Sequence, residues 1–398
     1  MRFYIQTFGC TANAGDSMRI AASLRRRGGV WIDRWEDADT VVVNTCTVTA
    51  RTEQNVLKFI RKMRDHGKQL IIAGCMVAVQ PDLIEENDGI LETLTPSSID
   101  ALPPPEIRNG VIGVLNIAQG CTGACTYCIV KYARGELVSA ELDEIISTIA
   151  HFSRMGLREI RLTSQDCSAY GADTGNINLA DLLNAISSID GDFMVRVGMM
   201  NPETLLPILD DLIDAFRSDK IFRFVHVPVQ SGSDPVLATM GRGYTVAEFE
   251  RIVDAFRSAF SDMTLSTDFI VGFPGESEED FEQSVELLKR VHPEKVNITR
   301  FSPRPSTPAS RMEDLPAQIK KDRSRKLNKV YRETLNRQQK LVGRVFDVIA
   351  TERGAKGGVV TRDDAYRYIL LREGVEPGMR ARVKVTESRG VYLVGEVI

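Results

Sequence analysis

No apolar run in these 398 residues is long enough to span a bilayer, which excludes a membrane-crossing helix. The opening MRFYIQTFGC has no basic lead before an apolar stretch, so no export signal is read there and a cytoplasmic chain is expected. Low-complexity tracts are missing too, which leaves no segment whose composition forbids a packed core. Histidine is scarce: His66, His151, His226 and His292 share no metal-ligand spacing, and His226 reads as a packed core residue inside a strand. Neither sign of charge dominates. With 54 acidic and 50 basic side chains the formal net charge is −4, so any attraction to nucleic acid must be local. Cysteine occurs seven times, an odd number in a chain read as cytoplasmic, which points to metal binding or catalysis and away from a disulfide framework.

The length suggests two or three domains. In the first hundred residues RFYIQTF, TVVVNT and QLIIAG read as buried parallel strands, with DSMRIAASLRRRG and TEQNVLKFIRKMRDHG as the helices between them. The stretch PSSIDALPPPEIRNG, with four prolines, continues neither pattern and reads as a linker. Six further candidate strands follow: VIGVLNIAQ, REIRLTSQ, DFMVRVGMM, FRFVHVPVQ, LSTDFIVGF and KVNITRFSP, separated by helical segments such as ELDEIISTIAHFSRMG. Six βα units suit a partial parallel barrel better than a flat doubly wound sheet, although periodicity cannot separate the two. The last strands, from VFDVIATERG to VYLVGEVI, are short and divided by Gly and Asp turns, which predicts a small antiparallel barrel of a kind used to hold RNA. The expected fold class is therefore α/β in three parts: an open parallel domain over 1–105, a TIM-like (β/α)6 barrel over 106–335 and a β-barrel over 336–398.

Within GCTGACTYC, residues 120–128, Cys121, Cys125 and Cys128 crowd one glycine-framed loop after a strand. A structural zinc site wants four ligands, and no suitably spaced Cys or His stands nearby. Three thiolates on a four-iron cluster leave one iron open for a substrate or cofactor. Three buried core thiols are the bland alternative, and such a loop is a poor place for them. Cys10, Cys46 and Cys75 are far apart in sequence, yet each directly follows an apolar strand (FYIQTFGC, TVVVNTC, QLIIAGC). In a parallel sheet those strand ends share one edge, where ligands gather. A second cluster is the reading for that trio; ordinary burial at strand ends is its alternative for each thiol taken singly.

The spacing CxxxCxxC with Tyr127 before the last cysteine resembles the radical S-adenosylmethionine (SAM) superfamily. The whole chain resembles the methylthiotransferases of that superfamily, through TFGCTANAGDS, VVVNTCTVT, IIAGCM, VPVQSGSDPVLATMGRGYT, TDFIVGFPGESEEDF and FSPRPSTPA, with a last segment similar to the TRAM domain, a tRNA-binding module. CTGACTYCIVKYARG, with Lys131 and Ala133, and LTSQDCSAYG look closest to the archaeal and eukaryotic branch that modifies threonylcarbamoyladenosine. The isopentenyladenosine branch and the branch acting on a ribosomal protein are the alternatives, and a non-enzymatic RNA-binding metalloprotein is the reading from another class. The resemblance implies two [4Fe-4S] clusters, on Cys121, Cys125 and Cys128 and on Cys10, Cys46 and Cys75, together with SAM. It also implies tRNA carrying threonylcarbamoyladenosine beside the anticodon as substrate, an external electron donor, no membrane partner and a monomer. No catalytic residue beyond the cluster ligands is implied.

Residues at carboxyl ends of barrel strands are candidates for SAM contacts: Tyr127, Gln165, Asp166, Arg196, Gln230 and Asn297. Each of the polar ones could instead satisfy a buried backbone end. Gly272 and Gly275 read as a tight turn beside the ligand, and Cys167 as a neighbour of the SAM site that is not a ligand. Arg134 is a candidate for substrate phosphate or for the threonylcarbamoyl carboxylate. Residues 319–344 hold ten Lys/Arg against two acids, and Lys320, Lys321, Arg325, Lys329, Arg337, Lys340 and Arg344 form the candidate tRNA footprint, with a solvated helix face as the plainer meaning.

Overall fold

A computed structural model describes residues 1–85, 89–108 and 110–398. The N-terminal unit is a parallel sheet built from β1 (Arg2–Thr7), β2 (Val30–Trp31), β3 (Thr40–Thr45), β4 (Gln69–Gly74) and β5 (Ile90–Leu94), in the order β2-β1-β3-β4-β5. Strand β3 is buried along its whole length because helices cover both faces, which is why Val41, Val42 and Val43 run apolar without a break where a one-sided strand would alternate. One of those helices, α2 (Ala50–Asp65), buries Val56, Ile60 and Met63 at helical spacing and is capped by Thr49, whose Oγ1 accepts from the Thr52 amide at 3.2 Å. The edge strands β2 and β5 were not expected. They are short or half-exposed, so they lack the apolar run that marks a central strand. The expected linker also carries a single helical turn, Pro96–Asp100, capped by Thr95 and started by its proline; Asn109 of that linker lies outside the described residues.

Six parallel strands follow as β6 (Ile112–Asn116) and, after a small hairpin, β9 (Glu159–Thr163), β10 (Met194–Arg196), β11 (Phe224–His226), β12 (Thr264–Val271) and β13 (Lys295–Arg300). The hairpin pairs β7 (Ala118–Gln119) with β8 (Val138–Ser139) and closes the base of the loop that holds Cys121, Cys125 and Cys128. The six strands form two ladders, β6-β9-β10 and β11-β12-β13, joined by single bridges Val195–Ile221 and Met199–His226. Among the described residues β6 and β13 do not pair, so the barrel stays open along one side, as six βα units predict. Capping boxes at Asn178, Thr245 and Ser277 start three of the surrounding helices.

The C-terminal unit is a closed barrel of β14 (Val345–Arg353), β15 (Val359–Arg362), β16 (Tyr368–Leu371), β17 (Arg380–Ser388) and β18 (Leu393–Val397), in the order β14-β15-β16-β18-β17. One detail departs from the expected antiparallel barrel: β16 and β18 pair in parallel, because β18 must close the ring between β16 and β17. This unit docks on the floor of the larger barrel. Tyr366 packs between Phe222 and Phe224 and donates its hydroxyl to Glu159 Oε1 at 2.5 Å, while Lys295 lies over the Phe224 and Tyr366 rings. Burial pushes the Lys295 amine down to about 7. Glu159 is fully buried; its Oε1 also accepts from Arg161 Nε at 2.6 Å, and among the described residues its second oxygen has no hydrogen-bond partner. A Tyr366→Phe variant should therefore unfold about 1–3 kcal/mol more easily, the cost of stripping a donor from a buried carboxylate. Urea melts that match the parent protein would overturn this account of the joint.

Candidate functional site

The register of the N-terminal sheet sets Thr7 beside Asn44, and Asn44–Thr45 beside Ala73–Gly74. Cys10, Cys46 and Cys75 thus leave three neighbouring strands on one edge, as the shared sequence context predicts. Two glycines let the loops close up. Gly9 has φ +107°, and a Cβ there would stand 2.7 Å from Cys46 Cβ; Gly74 has φ +93°, and a Cβ there would meet the Asn44 side chain at 2.4 Å. Asn13, in the first turn of α1 (Thr11–Arg26), donates to the Thr45 carbonyl at 2.8 Å, and Asn44 donates back to the Asn13 carbonyl at 2.8 Å. Thr45 Oγ1 accepts from the Met76 amide at 3.1 Å, which holds α3 (Cys75–Val79) to the same edge. Burial pushes the Cys75 thiol up to about 12 and raises that of Cys46; Cys10 adds to both, and Arg134 pulls both back.

In the second loop Cys121 accepts from the Gly123 amide at 3.2 Å, and Cys125 accepts from Arg242 Nη1 at 3.2 Å. Burial pushes Cys121 up to about 11 and raises Cys128; Cys125 adds to both, and Cys128 adds to Cys121. Such thiols stay protonated until a metal takes them, since metal ligation and proton release go together. The helix Val130–Arg134, which directly follows this loop, packs on α3 and so brings the two thiol sites to one joint.

Between them lies a cavity of about 450 Å³. Val48 and Thr49, next to Cys46, form one wall; Tyr127–Val130 of the cysteine loop form another; Gln230, Asp268, Asn297 and the end of β13 supply the barrel side. Gln230 sits at φ +69°, a strained position for a non-glycine residue, and its buried Oε1 has no protein partner. Asp268 faces His226, whose Nε2 is 3.2 Å from both carboxylate oxygens, and accepts from Asn297 Nδ2 at 2.7 Å. Burial works to raise its pKa, but these two partners outweigh it and hold the carboxyl below the usual range. Arg304, buried at 4% exposure, crosses to the N-terminal unit and donates to Thr47 Oγ1 at 2.6 Å and to Glu53.

Of the residues expected around SAM, Tyr127, Gln230 and Asn297 line this cavity. Gln165 instead accepts from the Gly120 amide at 2.7 Å and so fixes the start of the cysteine loop. Asp166 is spent internally on the Ser168 and Asn201 amides and on the Ser168 and Thr204 hydroxyls, as the alternative of a satisfied buried end foresaw. Arg196 lies lower in the barrel, over the Phe224 ring, with its Nε unpartnered. Cys167 is fully buried in the barrel core against Gly198 and lies outside the cavity lining.

Arg134 is corrected: it is 5% exposed and bound to Asp16 at 2.6 Å, with Asn13 and Gln119 at 3.3 Å, so it joins two units and does not open to substrate. Burial opposes its charge, but Asp16, together with the nearby Cys75 and Cys10 thiols, outweighs burial and raises its pKa. Lys320 is corrected as well. It is 8% exposed, pairs with Asp314, and its stem packs where a Cβ on Gly272 would stand. The turn of Gly272 is therefore beside Lys320, not a ligand. Lys321, Arg325, Lys329, Arg337, Lys340 and Arg344 are exposed, Arg325 within reach of Asp322 and Arg344 of Asp262. His226 is also corrected, from core packing to partner of Asp268. Asp268, Arg242 and Arg304 were missed. The signal for Asp268 was a carboxylate inside the apolar strand TDFIVGF, and Arg242 and Arg304 lay inside two blocks quoted for the resemblance, MGRGYT and FSPRPSTPA, without being singled out.

The donor sets fit iron–sulfur clusters. Each trio supplies three soft thiol ligands, the donor type that iron–sulfur clusters take, and among the described residues no fourth Cys or His joins either trio as a tetrahedral zinc site would want. Gln230, which lines the cavity, adds a buried Oε1 with no hydrogen-bond partner among the described residues.

Family models match the chain in two places: the Radical SAM superfamily over residues 115–288 and Uncharacterized protein family UPF0004 over residues 2–95. A probable threonylcarbamoyladenosine tRNA methylthiotransferase of Pyrococcus horikoshii is 40% identical over the full length of both chains. One from Archaeoglobus fulgidus is 38% identical, covering 100% of this chain and 99% of its own, and the threonylcarbamoyladenosine tRNA methylthiotransferase of Homo sapiens is 32% identical, covering 100% and 74%. Among solved structures, a radical SAM methyltransferase from Kitasatospora setae with cobalamin and a [4Fe-4S] cluster bound has a TM-score of 0.59 at 15% identity, covering 78% of this chain and 76% of its own, a likeness of fold.

Replacing Arg134 by Ala should cost about 3–5 kcal/mol, because it strands a buried carboxylate, while tRNA affinity of the folded protein stays as it was. Denaturant titration and filter binding measure the two separately, and a weakened RNA complex at full stability would restore the substrate role. Cys10→Ala should halve the iron bound after anaerobic reconstitution, since one site of two is lost.

Proposed function

The chain belongs to the threonylcarbamoyladenosine tRNA methylthiotransferase family, and on that premise we propose that it replaces the hydrogen on carbon 2 of N6-threonylcarbamoyladenosine, beside the tRNA anticodon, with a methylthio group. One observation carries this reading: a single cavity touches both Cys128 and the residues following Cys46. A base placed there would touch Cys128 directly and approach the other thiol site through Val48 and Thr49, two and three residues past Cys46. Its cofactors are two [4Fe-4S] clusters and SAM; when bound, they supply the electron, the radical, the sulfur and the methyl group.

The protein's own residues do the positioning. Cys121, Cys125 and Cys128 hold one cluster, Cys10, Cys46 and Cys75 the other. Gln230 offers its orphaned acceptor to SAM from the barrel side, and Asp268, kept ionised by His226 and Asn297, offers a fixed negative charge for a hydroxyl or ammonium donor. Tyr127, Phe273 and Phe301 pack edge to face behind the cysteine loop and keep water from that wall. An anticodon-loop base is already unpaired, so bringing it into the cavity costs less than extruding one from a duplex.

Residues 1–105, 106–335 and 336–398 serve as the auxiliary-cluster domain, the radical SAM domain and a TRAM domain. The exposed Lys321, Arg325, Lys329, Arg337, Lys340 and Arg344 follow the tRNA backbone. The protein works in the cytoplasm as a monomer with an external electron donor; no helix among the described residues is long and apolar enough to cross a membrane.

Anaerobic incubation with SAM, reductant, sulfide and tRNA, followed by nucleoside mass analysis, tests the reading. The expected gain of a methylthio group falls on threonylcarbamoyladenosine. A gain on isopentenyladenosine, or none with tRNA and one with ribosomal protein, rejects it. Neutralising Lys321, Arg325 and Lys329 together should weaken tRNA binding for all sequences alike and flatten its log-salt slope by about one unit for each phosphate left without its cation.

A further inference from the structure

Three charged side chains line the cavity: Asp268, Arg304 and Arg300. Asp268 is engaged by His226 and Asn297, and Arg304 by Thr47 and Glu53. Arg300 differs from both. It ends β13, pairs through its backbone with Val271, and makes no side-chain hydrogen bond, ion pair or ring contact with any described residue. It also stands on the open side of the barrel, where the edge strand β13 leaves Asn297, Thr299 and Arg300 exposed. Apolar Val48, Ile129, Val130, Ile270 and Phe301 line the same cavity, as do the hydroxyl-bearing Thr299 and Ser302.

A guanidinium without a partner on such a wall is matched to a planar anion. Of the groups that distinguish the modified adenine from other purines, only the threonyl end of its arm carries a carboxylate; an isopentenyl arm is wholly apolar. We propose that Arg300 is the specificity-determining residue of the cavity, taking that carboxylate in a two-point ion pair while Thr299 and Ser302 stand beside the arm's hydroxyl. The assignment rests on the substrate proposed above. It gives the enzyme a reason to refuse an isopentenyl arm, since burying Arg300 against hydrocarbon would strip its water and return nothing.

The test uses reconstituted holoenzyme with both clusters, as parent, Arg300→Met and Arg300→Lys, and one tRNA prepared with and without the threonylcarbamoyl arm. Arg300→Met should bind the arm-bearing tRNA about tenfold or more weakly, the worth of a charge-assisted hydrogen bond, while its affinity for the armless tRNA and for SAM is unaltered. Arg300→Lys should recover part of the loss, because a point charge replaces a fork. Equal weakening on both tRNAs makes Arg300 a phosphate contact, weaker SAM binding makes it a SAM contact, and no change removes it from the site; each overturns the assignment. Parent enzyme that selects threonylcarbamoyladenosine while Arg300→Met binds normally sinks the assignment alone. Parent enzyme that prefers isopentenyladenosine sinks the substrate reading with it.

Discussion

The buried ion pair between Asp16 and Arg134 is the constraint on which the rest of this architecture depends. Asp16 sits in the first turns of α1, a few residues after Cys10, and takes Arg134 from the barrel unit on one oxygen and Asn116 of β6 at 2.7 Å on the other. Arg134 in turn ends the short helix that follows Cys128. A single carboxylate thus fixes where the first thiol site stands relative to the second. Such a pair adds little net stability, because both charges lose their water; what it supplies is one permitted arrangement, since any slip strands a buried charge. Arg304 does the same on the far wall, reaching Thr47 beside Cys46 and Glu53 of α2.

These two guanidiniums also have an electrostatic part. Cys75 is pushed up by burial and by the other thiols, and Arg134 is the leading influence that pulls it down; on Cys46 the Val48 amide lowers most, with Arg134 and then Arg304 adding to it. Cys46 and Cys75 are buried while Cys10 stays exposed, and both guanidiniums that lower the buried thiols come from the barrel unit. The electrostatics of these strand ends are therefore set in part by the neighbouring unit.

How much of this was legible in the sequence follows from the range of each interaction. TVVVNT and QLIIAG declared themselves because a strand buried on both faces must be apolar throughout, and the cysteines after them inherited a predictable edge. The two-residue strand Val30–Trp31 and the parallel closure of β18 on β16 were not legible, since both are decided by partners far along the chain. Arg134 and Lys320 looked like free cations because a charged residue in a basic or glycine-rich stretch gives no hint of a buried carboxylate elsewhere. Asp268 and His226 are the instructive pair: each was visible as a polar residue inside an apolar strand, but only the barrel makes adjacent strands bring them to 3.2 Å.

The same contacts orient the basic helix. Its first turns touch the carboxyl ends of the barrel strands, with Lys320 against Gly272 after β12 and over the Phe301 ring after β13. Its later turns reach the opposite end, where Tyr331 donates to the carbonyl of Glu294, just before β13 begins. The helix Ala317–Thr334 therefore runs from the cavity down to the floor on which the small barrel docks, about 27 Å at 1.5 Å per residue. Lys321, Arg325 and Lys329 lie along its outer side, and Arg337, Lys340 and Arg344 continue past its end. Acids interrupt this line, since Arg325 lies within reach of Asp322 and Arg344 of Asp262, so the positive charge it presents is weaker than its number of cations suggests.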